Sequence, residues 1–370
     1  MYALNENIQH YKVNWIFHII ISQQGSILVA FFYQVCYNIF EKHTKKKNMK
    51  YLFFDIECSV VSKNAAKICA FGYCLTDEKF HILEKEDILI NPQGGFHLTD
   101  RKGTQGLVLP YKYEDFKKYP TFCEKKDKIY SLLQDEDTLV VGHATMNDVK
   151  YLNLESKRFS LPSFHFSFAD TQFLYMNRIQ EFSRQFGLGV IAEELKVDFV
   201  AHRAVDDAFA TMKIAEALCK AEGEDVTLPQ LIEKYQITLG RISDYEITQS
   251  TSVAFAAYKQ EIERKKEMRE KLKAEFHVFA DREKRKRAKE GLLKNQSVCF
   301  SHPLEIELPL SKRLLQAAFA QAARLTYRAE ECDIYVCFEG ESGPRLKSVE
   351  NGGAKILTTS EFETYLGIGE

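Results

Sequence analysis

No two of the nine cysteines stand in the C-x-x-C spacing of a zinc or dithiol site, and their odd number and scatter fit no disulfide framework. Cys69/Cys74 and Cys332/Cys337, each five apart inside apolar runs, read as small core residues, and a reducing, cytoplasmic setting is expected. Net charge is nearly absent too: at −2 over 370 residues, any surface for nucleic acid has to be a local patch. No internal repeat is present, which excludes a solenoid or propeller. Charge is missing altogether between Trp15 and Phe40, a span that includes the apolar run from Ile27 to Tyr33 and is followed by Lys42, Lys45, Lys46 and Lys47. Such a span with basic flanks reads as a membrane anchor with the remaining chain in the cytoplasm. It is interrupted by His18, Ser22, Gln23, Gln24 and Gly25, however, and Met49-Lys50 leads at once into a strand pattern. Residues 1–48 therefore also read as an extension from a mis-assigned start.

What is present begins at Tyr51-Leu52-Phe53-Phe54-Asp55-Ile56-Glu57-Cys58. The apolar run predicts a buried strand, and the period of two puts Asp55 and Glu57 on one face. Side by side at a buried strand end, the two carboxylates repel and lose hydration, a cost met by protonation or by a divalent cation. Lys67–Leu75 and His81–Leu89 read as further strands, with Thr76-Asp77-Glu78-Lys79 as a turn, giving an antiparallel meander. Between Asn91 and Pro120 the chain is loop-rich, and Tyr111, Tyr113, Phe116 and Tyr119 alternate with lysines. Rings to stack bases and ammonium groups to meet phosphates are what a single-strand groove uses, so Tyr111 and Phe116 are candidate nucleic-acid contacts.

A helix is predicted from Phe122 to Leu133, then a strand Thr138–Val141 running through Gly142-His143 into a helix that carries Asp148 near its start. His143, at a strand end before the turn, reads as a structural hydrogen-bonding residue. Asp170-Thr171 opens another helix and Phe186–Leu195 a further one. His202 and Asp207, five apart, span the entry to a helix that runs through Leu218, and between them lie Arg203, a further candidate nucleic-acid contact, and Asp206, the rival of Asp207 for the same role.

An Asp-x-Glu closing a first strand, a Gly-His-x(4)-Asp before a helix and a His-x(4)-Asp opening a later one resemble the three motifs of the DnaQ-like DEDD exonucleases, histidine branch. The resemblance covers Met49 to about Glu222. In the second motif Ala144 and Asn147 replace the Asn and Phe of proofreading enzymes, and VGHATMNDVKYL is closer to RNA-processing relatives. The family implies a ribonuclease H-like mixed sheet flanked by helices, and 3′-to-5′ hydrolysis of phosphodiester bonds, with a single-stranded 3′ end as substrate. It implies Asp55, Glu57, Asp148 and Asp207 as ligands of two Mg²⁺ or Mn²⁺ ions, and His202 as general base. Single-stranded DNA in replication or repair is the expected substrate. An RNA 3′ end, or a non-catalytic binding scaffold, is the alternative.

Residues 223–296 are expected to be a helical, charged linker, with helices packing over 228–258. Between Lys259 and Lys294 lie fourteen Lys or Arg and eight Asp or Glu, no proline and only Gly291, the mark of a long solvated helix. The basic cluster Arg282–Arg287 could follow a phosphate backbone. From 297 to 370 strands and helices alternate, predicting a small parallel sheet between helices. Their order, ending in ENGGAKILTTSEFETYLG, resembles a BRCT domain. That resemblance implies a protein partner and places Ser301 and Lys347 at the positions used for phosphate binding.

Overall fold

A computed structural model describes residues 49–94, 113–198 and 203–368, and the chain divides into two compact units, Met1–Ala254 and Phe255–Glu370. Among the described residues no helix is long and apolar enough to cross a membrane. The alternative readings of residues 1–48 lie outside the described part.

The first unit is built on a seven-stranded mixed sheet. In chain order its elements are β1 (Lys50–Val61), β2 (Ala66–Thr76), β3 (Ile82–Leu89), α1 (Tyr113–Phe116), α2 (Phe122–Leu133), β4 (Thr138–Gly142), α3 (Met146–Arg158), β5 (Phe166–Asp170), α4 (Thr171–Ile179), α5 (Leu188–Glu194) and α6 (Ala204–Lys220). They are followed by α7 (Leu228–Lys234), β6 (Ile237–Thr238), β7 (Gly240–Ser243), β8 (Glu246–Thr248) and β9 (Thr251–Ser252). Strand order is β3-β2-β1-β4-β5-β7-β8, with the expected antiparallel meander at one edge and parallel β1, β4 and β5 in the middle.

Alternation along β1 divides the apolar side chains between two cores. Leu52, Phe54 and Ile56 join a cluster completed by Val149 and Leu152 of α3, while Tyr51 and Phe53 join one completed by Met212, Ile214 and Leu218 of α6. Asp55 and Glu57 share the latter face by the same alternation. Helix α6 lies close against the sheet because Gly72 has no side chain: a Cβ there would be 2.0 Å from the backbone of Ala204 and Val205. Gly72 is the β2 partner of Asp55, so this close approach brings the start of α6 to the acidic pair.

The helices expected over 228–258 are realised only in α7 and at the start of the long helix α8 (Val253–Glu283). Between them β7 pairs antiparallel with β5 and turns into β8, extending the sheet. The hairpin turn is carried by Asp244 and Tyr245 at φ 53° and 62°, both left-handed, as the tightest hairpin turns require. Residues 237–252 thus belong to the first unit's strands and not to a helical linker.

In the second unit, α8 is followed by a 3₁₀ turn over Lys284–Lys286, then β10 (Ser297–Phe300), α9 (His302–Ile306), α10 (Leu308–Ala320), β11 (Arg324–Leu325), β12 (Ile334–Cys337), α11 (Pro344–Gly352), β13 (Lys355–Thr358) and α12 (Thr359–Leu366). The four strands are parallel in the order β11-β10-β12-β13, as the alternating pattern predicts. Val298, Phe300, Ile334 and Val336 face a core with Phe276 and Ala280 of α8, whereas Cys299, Tyr335 and Cys337 face the opposite side with Val349 of α11. Thr358 and Glu361 form a capping box at the start of α12.

Candidate active site

Strand β1 outruns its neighbour. Its pairing with β4 ends at Phe53↔Val141, so among the described residues Asp55, Ile56 and Glu57 have no strand partner on that edge. Into this gap comes Asp148, the third residue of α3, 5 % exposed, its charge the strongest of those acting on Asp55. From α6 comes Asp207, 9 % exposed. One carboxylate oxygen each of Asp55, Glu57 and Asp207 lies within 4.8 Å of the other two. Asp206 turns away, its carboxylate 3.7 Å from Lys85 and 3.8 Å from Arg203, which separates the two adjacent aspartates.

The charges are crowded, with Asp148 and Asp207 buried and Asp55 and Glu57 half-buried. Burial raises the Asp55 carboxyl well above its ordinary range, and the charges of Asp148, Asp207, Glu57 and Asp87 add to the shift. Glu57 is pushed up to about 7, first by burial and then by Asp207 and Asp87. Asp148 is raised by burial and by Asp170, with backbone hydrogen bonds pulling partly the other way. Carboxylates pushed upward together are groups whose ionised form lacks a compensating cation. Hard oxygen donors at this spacing fit Mg²⁺ or Mn²⁺, and no thiol or imidazole among the described residues joins the cluster to favour a softer metal.

Four contributors were not foreseen. Asp170, at the end of β5, accepts backbone hydrogen bonds from Ala144 and Thr145 (both 3.0 Å) and Gln172 (2.9 Å), and so ties down the turn ahead of Asp148. Its expected part was only to open α4, which its contact with Gln172 also does. Asp87 on β3 adds a fifth carboxylate to the field and meets Arg203 at 3.4 Å. Gly72 sets the approach of α6, and Tyr151, one turn beyond Asp148, has its phenol raised to about 12 by burial and then by Cys58 and the site's acids. None of these follows from a spacing motif, because each is recognisable only once the strands are paired.

His143 is structural, as expected. Its ring contacts the Phe186 carbonyl at 3.1 Å through Nε2 and the Thr171 hydroxyl at 3.0 Å through Nδ1, and burial lowers its pKa to about 4. The carbonyl can only accept, so Nε2 carries the proton. Phe116 corrects an expectation: it is 1 % exposed, packed edge-on against Tyr119 and clustered with Cys69, so its ring is buried in the fold and cannot stack on a base. Tyr111 and His202 lie outside the described residues. Arg203 is half exposed at the rim. In the second unit Ser301 is buried at the N-cap of α9, where it accepts from the Leu304 N–H and donates to the Glu341 carboxylate at 2.8 Å. That carboxylate would oppose a phosphate at Ser301. Lys347 is exposed on α11, and no hydrogen bond or ion pair links it to Ser301 among the described residues.

A sheet edge gathering acids from one strand and two helix starts is an arrangement of metal-assisted hydrolases, and residues 52–215 match the family model described as Exonuclease, RNase_T. No curated protein matches the chain. Among solved structures, it is similar to a 3′-exonuclease described in 3′-end recognition of a histone mRNA stem-loop, at 14 % identity over 56 % of this chain and 92 % of that one, TM-score 0.43. It is also similar to the nuclease domain of a DEDDh family member, 3′hExo, bound to rAMP, at 16 % identity over 49 % and 96 %, TM-score 0.41. With E. coli exonuclease I in complex with a dT13 oligonucleotide the identity is 17 % over 51 % of this chain and 42 % of that one, TM-score 0.37.

Proposed function

We propose that the first unit is a metal-dependent 3′-to-5′ exonuclease acting on single-stranded ends. The observation that carries this reading is the convergence of Asp55, Glu57 and Asp207, with Asp148 beside them, on one edge of the sheet. Asp55, Glu57, Asp148 and Asp207 would hold the divalent cations. Bound there, such ions lower the pKa of an attacking water and stabilise the leaving 3′ oxygen.

The chain's own residues then have separable tasks. Buried and crowded, the carboxylates bind a cation more readily than protons once the pH exceeds their raised pKa values. The Asp170 carboxylate holds the turn from which Asp148 projects. His202, four residues before Asp206 and next to Arg203, is the proposed base, an imidazole suited to taking a proton near neutral pH. Arg203, at the rim and oriented by Asp87 and Asp206, offers a phosphate contact. We propose the second unit as a BRCT-like interaction module on the strength of its four-stranded parallel sheet and capped last helix.

The test is incubation of the full chain with end-labelled DNA and RNA strands in Mn²⁺ or EDTA. Stepwise release of mononucleotides from the 3′ end with metal only is expected. Release unaffected by EDTA, or by Asp55→Ala, would overturn the assignment, and the ratio of the DNA and RNA rates decides between the two substrates.

A further inference from the structure

We infer that the basic turn from Lys284 to Lys289 is a docking surface for the phosphate backbone of a single-stranded nucleic acid. Charge is distributed unevenly along this part of the chain. Helix α8 carries eight Lys or Arg against seven Asp or Glu, whereas residues 284–294 carry six against one. On the helix much of the positive charge is neutralised locally: Glu261 holds Arg264 at 2.8 Å and Lys265 at 3.4 Å, and Glu263 holds Lys266 at 3.3 Å. In the turn, Lys286 pairs with Glu283 and Lys294 with Glu290. Lys284, Arg285, Arg287 and Lys289 are exposed and have no ion pair among the described residues.

This stretch is also fixed in place, unlike a freely solvated tail. The Ala288 N–H donates to the Phe319 carbonyl at 3.0 Å, the Leu292 N–H to the Gln321 side chain at 3.1 Å and the Leu293 N–H to the Gln321 carbonyl at 2.8 Å. Leu293 is fully buried. Cations held on a pinned backbone lose less conformational freedom on binding, and two of the four are arginines, which suit bidentate phosphate contacts. Between Lys284 and Gly291 there is no large apolar residue, so the turn lacks the apolar face that seating in a lipid surface requires. The choice of a nucleic acid as the polyanion rests on the exonuclease reading of the first unit.

The test is binding of a fluorescently labelled dT strand to the full chain in EDTA, followed by anisotropy across a KCl titration. EDTA suppresses hydrolysis, so the result is readable even if the chain proves not to be a nuclease. Each phosphate contact on a single strand contributes about 0.7 to the salt slope, so four contribute roughly three. The native chain should lose about 50-fold more affinity between 50 and 200 mM KCl than the variant K284A/R285A/R287A/K289A. The control R264A/K266A, which removes two exposed but paired cations, should keep the native slope. Equal slopes for the native chain and the quadruple variant overturn the inference. So does binding to phosphatidylserine vesicles that the four substitutions weaken while strand binding is unchanged.

Discussion

The acidic edge of β1 and the basic turn after α8 both concentrate charge of one sign, but they differ in what surrounds it. Asp55, Glu57, Asp148 and Asp207 are packed under α6 and beside α3, buried or half-buried, and the charges of neighbouring acids add to the upward shifts that burial gives Asp55 and Glu57. Lys284, Arg285, Arg287 and Lys289 are wet and spread along the backbone. Low dielectric makes the first arrangement costly when ionised and selective for a small multivalent cation; high dielectric makes the second cheap, salt-sensitive and indifferent to the sequence of its partner.

Replacing a crowded carboxylate by its neutral isostere probes this difference most strongly. Asp55→Asn or Asp207→Asn should reduce hydrolysis on the order of 10³-fold or more, as removal of a member of a cooperating catalytic set does. Asp55→Asn should also raise the melting temperature of the metal-free chain, because it relieves repulsion. A fall in thermal stability would show that the acids are already compensated.

Gly72→Ala would push the start of α6 from β2, with a new Cβ 2.0 Å from backbone atoms. Overpacking of this kind costs about 1–3 kcal/mol, and activity should fall with it as Asp207 leaves Asp55. Denaturant midpoints and rates on the same samples check both.

Asp170→Asn should lower activity by about 10- to 100-fold, the usual effect of losing a residue that orients a metal ligand. Far-ultraviolet circular dichroism should stay close to that of the native chain.

A pH series isolates Glu57. Its pKa rises from 4.5 to about 7 on folding, so the folded state holds the proton more tightly. The stabilisation is fully present below about pH 4.5 and is lost as pH rises through 7. Metal-free Glu57→Gln should therefore gain thermal stability relative to the native chain between pH 5 and pH 8. Excess Mn²⁺ should reverse that difference, since only the ionised native side chain gains from the cation.

Smallest is Thr358→Ala in the second unit. Loss of the capping box should cost about 1 kcal/mol there, measured by denaturant unfolding, and leave release of mononucleotides from the 3′ end of a short oligonucleotide unchanged.

Much of the site is legible in the sequence because its signals are local. A long apolar run ending in Asp-x-Glu fixes a strand and a face, and a glycine turn followed by helical periodicity fixes where Asp148 begins its helix. What stayed hidden depends on pairing between distant segments. Gly72 looks like any small residue in a strand until α6 lies across it, and Asp170 looks like a helix cap until its free lone pairs meet the turn at Ala144. The β7–β8 hairpin escaped notice because its left-handed turn is made by Asp244 and Tyr245, without the Asn-Gly or Asp-Gly that announces such turns. Phe116 misled because an aromatic residue amid lysines has the same pattern whether its ring packs inward or outward.

Calorimetric titration of Mn²⁺ into the full-length, metal-free chain at pH 7.5, in buffers of different ionisation enthalpy, tests the shared acidic edge most directly. Saturable binding with release of protons is predicted, and Asp207→Asn should abolish or severely weaken it while the fold persists. Absence of saturable binding, or binding equally strong in Asp207→Asn, would contradict the account.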